Sequence, residues 1–523
     1  MDNGRKNMGS RTKNSAKNIF FSELSYVAIL ILQFANRSFF VHFLPGTYLS
    51  LHGLFSNILS FLSLAELGIG CTINYALYKP LKERDTETLK SIMALYRRFY
   101  TVTGLAVLAS GSILIPFLPH FIGGPPARIG SMYLYFLLYL VSSDISYFCA
   151  HKRSLIICDQ KEYIVSIVTS VFQIAVKLLQ ILSLAFFQSY AIYLCLLIAG
   201  SLLQNMVIAL LTDKMYPFLK DKKVKKLSLD LSMDIRKNAY ALFFQKIGIV
   251  IVYATDNLII SKFVGFASVG IYANYTLVIQ AVQTAAYRFF DSITASIGDF
   301  AVANEKEDVR TILYRVLFIN AWMFCFCSAC LLCLLQPFIR LWIGDNYLLS
   351  DNTLIIIVIS FYLEGMRATF VTFKRAIGLY WQTRYLPIFE GILNLAISVP
   401  LAVRLGVAGT LLGTIISTGC MSGLLDPYLS YRIYFKTGFR KFILYHIKYG
   451  SVAFGALCLT VLCCSLVKMR LLQGFLVKIA LCLVIPNLFW VLIFRKNENF
   501  MYLKKFAARF LKTKIPDSHV CGR

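Results

Sequence analysis

Lys152-Arg153-Ser154-Leu155-Ile156, followed by Gln160 and Tyr163, recurs about 220 residues later as Lys374-Arg375-Ala376-Ile377-Gly378, followed by Gln382 and Tyr385. The register holds outward in both directions. Asn18 and its apolar run to Leu32 are echoed by Asn238 and the run to Val252, and Asn36-Arg37 falls opposite Asp256-Asn257. Pro116 answers Pro337, and Gly123 answers Gly344. A register kept over so long a stretch of low-complexity apolar chain points to an internal duplication. Membrane duplications of this kind mark transporters, with the substrate site between the repeats.

Composition fixes the solvent. The 523 residues are 58% hydrophobic and only 15% charged, and the mean hydropathy is +0.66. A water-soluble globule cannot hide that much apolar surface, so lipid is the solvent. Backbone N–H and C=O groups in hydrocarbon need internal partners, which leaves helices or a closed barrel. The apolar runs are about 18–25 residues long without strict alternation, so the spans are helices.

The net charge of +27 invites a nucleic-acid reading, but the placement of the charge argues against one. The Lys and Arg residues gather in alternate connections: the N-terminal arm, Lys79 to Arg98, Lys152 to Lys161, Lys214 to Lys237, Lys306 to Arg315, Lys374 to Arg384, Arg432 to Lys448 and the tail from Arg495. Those connections hold about 41 of the 53 basic residues, and the opposite set holds about 5. This is the positive-inside pattern, which puts the basic loops and both termini in the cytoplasm. The run Lys220, Lys222, Lys223, Lys225 and Lys226 reads as a solvated linker. The segment Lys82 to Tyr100 alternates charge and apolar residues at helical spacing, suggesting an amphipathic helix on the inner surface.

The expected fold is an all-α polytopic membrane protein with about fourteen transmembrane helices, arranged as two parallel six-helix bundles plus two C-terminal helices. The expected boundaries are a cytoplasmic arm at 1–17, a first bundle at 18–213 and a basic linker at 214–237. A second bundle at 238–432, two added spans within 433–494 and a basic tail at 495–523 complete the chain. An even number of spans per repeat makes the symmetry parallel, with its axis along the membrane normal.

Ionisable groups at membrane depth are costly and usually line protein interior or a wet cavity. Glu23 and Arg37 share a face of the first span, and Lys246 shares a face of the seventh with Asn257, beside Asp256. Arg288 with Asp291, and Glu364 with Arg367, stand three apart, the spacing of local pairs. Arg37 and Lys246 are candidates for binding an anion in a central cleft, with Arg288 and Arg367 behind them. Arginine donates paired hydrogen bonds to phosphate, whereas lysine acts as a point charge. Glu23 and Asp256 are candidates for a coupling proton or sodium ion. No cofactor is implied. The six His residues never fall at metal-ligand spacing, and Cys325, Cys327, Cys330 and Cys333 read as small packing residues rather than metal ligands. No nucleotide-binding or acyl-transfer motif is present, and no long external loop offers a catalytic domain.

The segment Gly53-Leu54-Phe55-Ser56-Asn57-Ile58-Leu59-Ser60-Phe61-Leu62-Ser63-Leu64-Ala65-Glu66-Leu67-Gly68-Ile69-Gly70, followed by Tyr75-Ala76-Leu77-Tyr78-Lys79-Pro80-Leu81, is the most specific in the chain. With these residues the chain resembles the polysaccharide transporter branch of the multidrug/oligosaccharidyl-lipid/polysaccharide exporter superfamily, the flippases of O-antigen, capsule or exopolysaccharide repeat units. Glu66, Gly68, Gly70, Tyr78 and Pro80 carry the motif, which identifies the family and shapes helix packing without fixing the sugar. The first span ends here in Leu44-Pro45-Gly46 where the family typically has Leu-Gly. The resemblance implies an undecaprenyl-diphosphate-linked oligosaccharide moved from the inner to the outer leaflet by alternating access. It also implies working partners in a polysaccharide polymerase and glycosyltransferases. A lipid-linked peptidoglycan precursor flippase and a cation-coupled multidrug antiporter of the same superfamily are the alternatives.

Overall fold

The computed structural model describes residues 24–62, 69–121, 131–221, 233, 240, 250–252, 255–377, 379 and 382–513. Glu23, Glu66, Gly68 and Lys246 lie outside the described residues, as do the N-terminal arm, most of the basic linker and most of the seventh expected span. Every regular element among the described residues is helical. They are α1 (Leu24–Phe43), α2 (Gly46–Leu62), α3 (Ile69–Glu83), α4 (Thr86–Leu114), α5 (Met132–Cys158), α6 (Glu162–Phe187) and α7 (Tyr190–Met215). Then come α8 (Phe266–Ala303), α9 (Lys306–Ile343), α10 (Asp351–Ala376), α11 (Leu386–Leu405), α12 (Val407–Phe435), α13 (Arg440–Ser465), α14 (Leu471–Phe494) and α15 (Glu498–Thr513).

Among the described residues, eleven helices are long and apolar enough to cross a membrane. Each coincides with a span expected from the sequence. Of the other three expected spans, the seventh lies mostly outside the described residues. The second is represented by α2 and α3, with 63–68 between them undescribed. The eighth is α8, whose Asn274, Gln280 and Gln283 leave it too polar to join the eleven. The helices point apolar side chains outward, as a lipid solvent requires: Leu472, Leu476, Leu483, Leu488 and Leu492 of α14 are all exposed.

Local chemistry sets the helix ends. Asp85 caps α4, accepting from Thr88 N at 3.0 Å, and Ser131 and Ser350 cap α5 and α10 through Leu134 N and Thr353 N. These side-chain oxygens satisfy N–H groups that have no partner within the helix. Gly344 and Gly406 close α9 and α11 at φ +96° and +64°, where a side chain would be strained. The segment 82–100, read as an amphipathic helix on the inner surface, is split between the end of α3 and the start of α4. Leu89, Ile92, Met93 and Tyr96 are buried there, and the helix runs on without interruption into the membrane span.

The chain forms two compact units: 1–274 with 384–414, and 275–383 with 415–523. In the first, α5 packs on α4 and α7, α6 packs on α7, and α3 packs on α4. Gly70 of α3 sits under two tyrosines, and a Cβ there would stand 2.9 Å from the Tyr100 hydroxyl. Tyr78 is exposed on the same helix, and Pro80 is buried. In the second unit α9 is the central helix, packed on α10, α13 and α14. Its Phe324 fills the space over Gly365 of α10, where a Cβ would come within 2.0 Å of the ring.

The repeated Lys-Arg segment does the same work in both halves. Lys152 at the end of α5 reaches Asp213 of α7 at 2.7 Å, and Lys374 at the end of α10 reaches Asp426 of α12 at 2.7 Å. In each case the fourth span of a repeat is tied to the sixth. In α12 the acid stands further from the helix end, between two π-helical stretches, Gly419–Leu425 and Tyr431–Phe435. Just past α7, the Tyr216 hydroxyl donates to Asp159 Oδ2 at 2.7 Å. Burial and that bond push its phenol well above the usual range.

Candidate functional site

The first unit gathers cations among aromatic rings. Arg37 is half-buried on α1 and interacts electrostatically with the phenols of Tyr139, Tyr190 and Tyr193. Lys177 of α6 lies within electrostatic reach of Arg37, and His52 of α2 lies within reach of both. Three helices therefore bring two full positive charges and an imidazole together. Among the described residues no carboxylate is paired with Arg37 or Lys177. Like charges at membrane depth repel and lose hydration, so such a cluster suits an incoming anion.

Neighbouring polar groups hold the cluster in shape. Asn36 Nδ2 donates to Gln180 Oε1 at 2.9 Å, and Gln180 Nε2 donates to the Tyr193 carbonyl at 3.1 Å. Gln180 stands three residues after Lys177, so one face of α6 presents both the cation and the anchor to α1. Phe40, on the turn after Arg37, stacks edge-on against Tyr190 and Tyr193 at 5.8 and 5.3 Å. His52 Nδ1 is 3.3 Å from the Tyr190 hydroxyl, and its ring lies 5.1 Å from that of Tyr139. Tyr48 and Tyr135 extend the aromatic wall, each within 5.3 Å of Tyr190. Phenol hydroxyls and ring faces of this kind suit sugar hydroxyls and sugar faces.

Asp256 lies elsewhere in the first unit, 7% exposed. It accepts from Thr414 Oγ1 at 3.2 Å, and Asn394 Nδ2 donates to the same hydroxyl at 2.9 Å. Asp144 of α5 is more isolated, 1% exposed with neither carboxylate oxygen hydrogen-bonded among the described residues. A Cβ on Gly104 of α4 would stand 3.5 Å from both of its oxygens.

The remaining candidates belong to the second unit. Arg288 is half-buried on α8, and Asp291, which the spacing offered as its partner, reaches Arg375 at 3.4 Å. Glu364 accepts from Gln283 Nε2 at 2.8 Å. Tyr287 interacts electrostatically with Glu364, Arg367 and Arg375. Arg288 and Arg367 thus sit on a helix pair that balances cations with acids, whereas Arg37 sits in a cationic cluster. From the sequence, Lys177 counts among the charges inside the spans but, unlike Arg37, is given no binding role, and His52 is given none either. The available signal was the Lys177/Gln180 pair, three apart on an otherwise apolar span.

No known sequence family and no curated protein matches this chain. Solved structures do. One is an inward-facing multidrug resistance MATE family transporter of the MOP superfamily, with a TM-score of 0.61 at 13% identity, covering 77% of this chain and 96% of its own. Another is the lipid II flippase MurJ in an inward closed conformation, with a TM-score of 0.62 at 15% identity, covering 93% of this chain and 99% of its own. A variant of the Vibrio cholerae MATE transporter VcmN aligns with a TM-score of 0.52 at 14% identity, covering 81% and 97%. At these identities the likeness is one of fold alone, the fold these transporter structures display.

Proposed function

Starting from that fold, we propose that the protein is a flippase that moves an undecaprenyl-diphosphate-linked oligosaccharide from the cytoplasmic to the outer leaflet, for O-antigen, capsule or exopolysaccharide assembly. The observation that carries the reading is the cluster of Arg37, Lys177 and His52 inside a wall of tyrosines, with no carboxylate paired to either cation among the described residues. In this account Arg37 takes a phosphate through its planar fork and Lys177 adds a point charge. The tyrosines hold the sugar while the lipid tail stays in the bilayer. Arg288, Arg367 and Lys246 serve as secondary cationic contacts. Glu23 and Asp256 remain candidates for the coupling ion. Asp144 joins them, because a buried carboxyl without a partner is a natural proton carrier. The two repeats alternate access to the cytoplasm and the outside. The protein resides in the bacterial cell membrane with both termini cytoplasmic, and works with glycosyltransferases and a polysaccharide polymerase.

Coverage supports a lipid-linked cargo over a free drug. MurJ accounts for 93% of this chain, against 77% for the inward-facing MATE transporter. The same observation favours a second reading, flipping of a peptidoglycan precursor, which shares the diphosphate-lipid anchor. A cation-coupled drug antiporter calls for an acidic cavity, and the cationic cluster counts against it. A deletion strain separates these readings. It should accumulate lipid-linked repeat units on the inner leaflet and lose surface polysaccharide while its cell wall synthesis continues. Loss of cell wall synthesis would favour the second reading, and unchanged surface glycan and cell wall with no accumulated lipid-linked intermediate would sink both.

A further inference from the structure

The two helices outside the repeat deliver two cysteines to the Cys330-x-x-Cys333 turn of α9. Cys333, Cys464 at the end of α13 and Cys482 of α14 have their sulfurs all within 4.8 Å of one another. They are 8%, 4% and 0% exposed. Cys330, one turn before Cys333, shares a thiol contact with Cys482. Cys333 and Cys464 also line a cavity of about 650 Å³ whose wall includes Gln336, Arg340, Asp351 and Lys478. The Lys478 ammonium lies within electrostatic reach of both thiols.

A buried cysteine is ordinarily a small packing residue. Here, however, α9 and the much later pair α13 and α14 converge on their sulfurs, and one side of the convergence opens to a cavity lined by the Lys478 side chain. Zinc–sulfur bonds of about 2.3 Å set neighbouring sulfurs roughly 3.8 Å apart around a tetrahedral ion. Thiols already within 4.8 Å of each other need only small side-chain adjustments to close on one. Cys330 is placed to supply the fourth ligand. Sulfur-only ligation selects soft ions over Mg²⁺ or Ca²⁺.

We infer that Cys330, Cys333, Cys464 and Cys482 form a thiolate site for a thiophilic d¹⁰ ion, Zn²⁺ or Cu⁺, entered from the cavity beside Lys478. Binding forms metal–sulfur bonds as each ligating thiol releases its proton to solvent, and no electrons are exchanged. Lys478 offsets the negative charge of the thiolate set. The bound ion clamps α13 and α14 onto α9, fixing the added helices to the second unit.

The test uses the purified full-length protein under reducing conditions, with Co²⁺ as a spectroscopic probe. The expected result is one Co²⁺ per chain with a sulfur-to-cobalt charge-transfer band that Zn²⁺ bleaches. The band should be absent in Cys464→Ser/Cys482→Ser and retained in Cys195→Ser/Cys420→Ser. In the unmutated protein, Zn²⁺ should slow N-ethylmaleimide labelling of Cys333 and Cys464 about tenfold, leaving the exposed Cys195 and Cys420 unaffected. That measurement decides the matter even where the double variant fails to fold. A missing thiolate band, unprotected thiols, or a disulfide among these four cysteines trapped directly from cells would each overturn the metal site.

Discussion

The Lys374–Asp426 bridge gives a quantitative handle on the duplicated scaffold. Lys374 Nζ lies 2.8 and 2.7 Å from the two Asp426 oxygens, and the two side chains are 7% and 11% exposed. Replacing Lys374 with Met removes the ammonium and strands a buried carboxylate, a change that costs about 3–5 kcal/mol. The corresponding bridge in the first half, Lys152–Asp213, uses one carboxylate oxygen at 2.7 Å, with side chains 23% and 29% exposed. Water reaches that pair, so Lys152→Met should cost only about 1 kcal/mol. Lys374→Met/Asp426→Leu should recover most of the single-variant loss, because the stranded charge is gone. Denaturant titration of detergent-solubilised protein, followed by tryptophan fluorescence, gives the ranking. Equal losses at Lys152 and Lys374, or a double variant no better than Lys374→Met, would show that burial does not set the strength of these bridges.

Three further outcomes follow from the same geometry. Gly365→Ala drives a methyl into the buried Phe324 ring, so it should lower stability by about 1–3 kcal/mol, and Phe324→Leu in the same chain should restore part of the loss in a thermal-shift assay. Arg37→Glu and Lys177→Glu should each abolish movement of lipid-linked oligosaccharide at normal membrane levels, whereas Arg37→Lys, which keeps charge but loses the fork, should retain a fraction of the rate. Asp144→Asn is isosteric, so it should leave expression unchanged while removing the dependence of transport on the proton gradient. A wild-type gradient response in that variant would exclude Asp144 as the proton carrier.

Much of the fold was legible because lipid imposes a simple pattern of long apolar runs separated by capped or glycine-closed ends. The Lys152 and Lys374 segments were legible as a repeat, but their acids were not, because Asp213 and Asp426 lie on a different span, 61 and 52 residues from their lysines. The start of α4 misled because its buried face and its charged face alternate as they would on a membrane surface helix. Single-helix reasoning named Arg37 as a candidate but could not relate Lys177 or His52 to it, because that relation is set by how α1, α2 and α6 pack. Asp291 shows the same limit: local spacing offered Arg288, and the structure supplies Arg375 from another helix. The cysteines show it most clearly, since Cys464 and Cys482 have no sequence relation to Cys330 and Cys333.

The most direct test of the central reading is leaflet translocation of a fluorescent undecaprenyl-diphosphate oligosaccharide in proteoliposomes containing only this protein. The account predicts translocation that depends on Arg37 and Lys177 and requires the diphosphate, with little movement of cationic drugs. Efficient drug antiport without translocation of the lipid-linked sugar would contradict it.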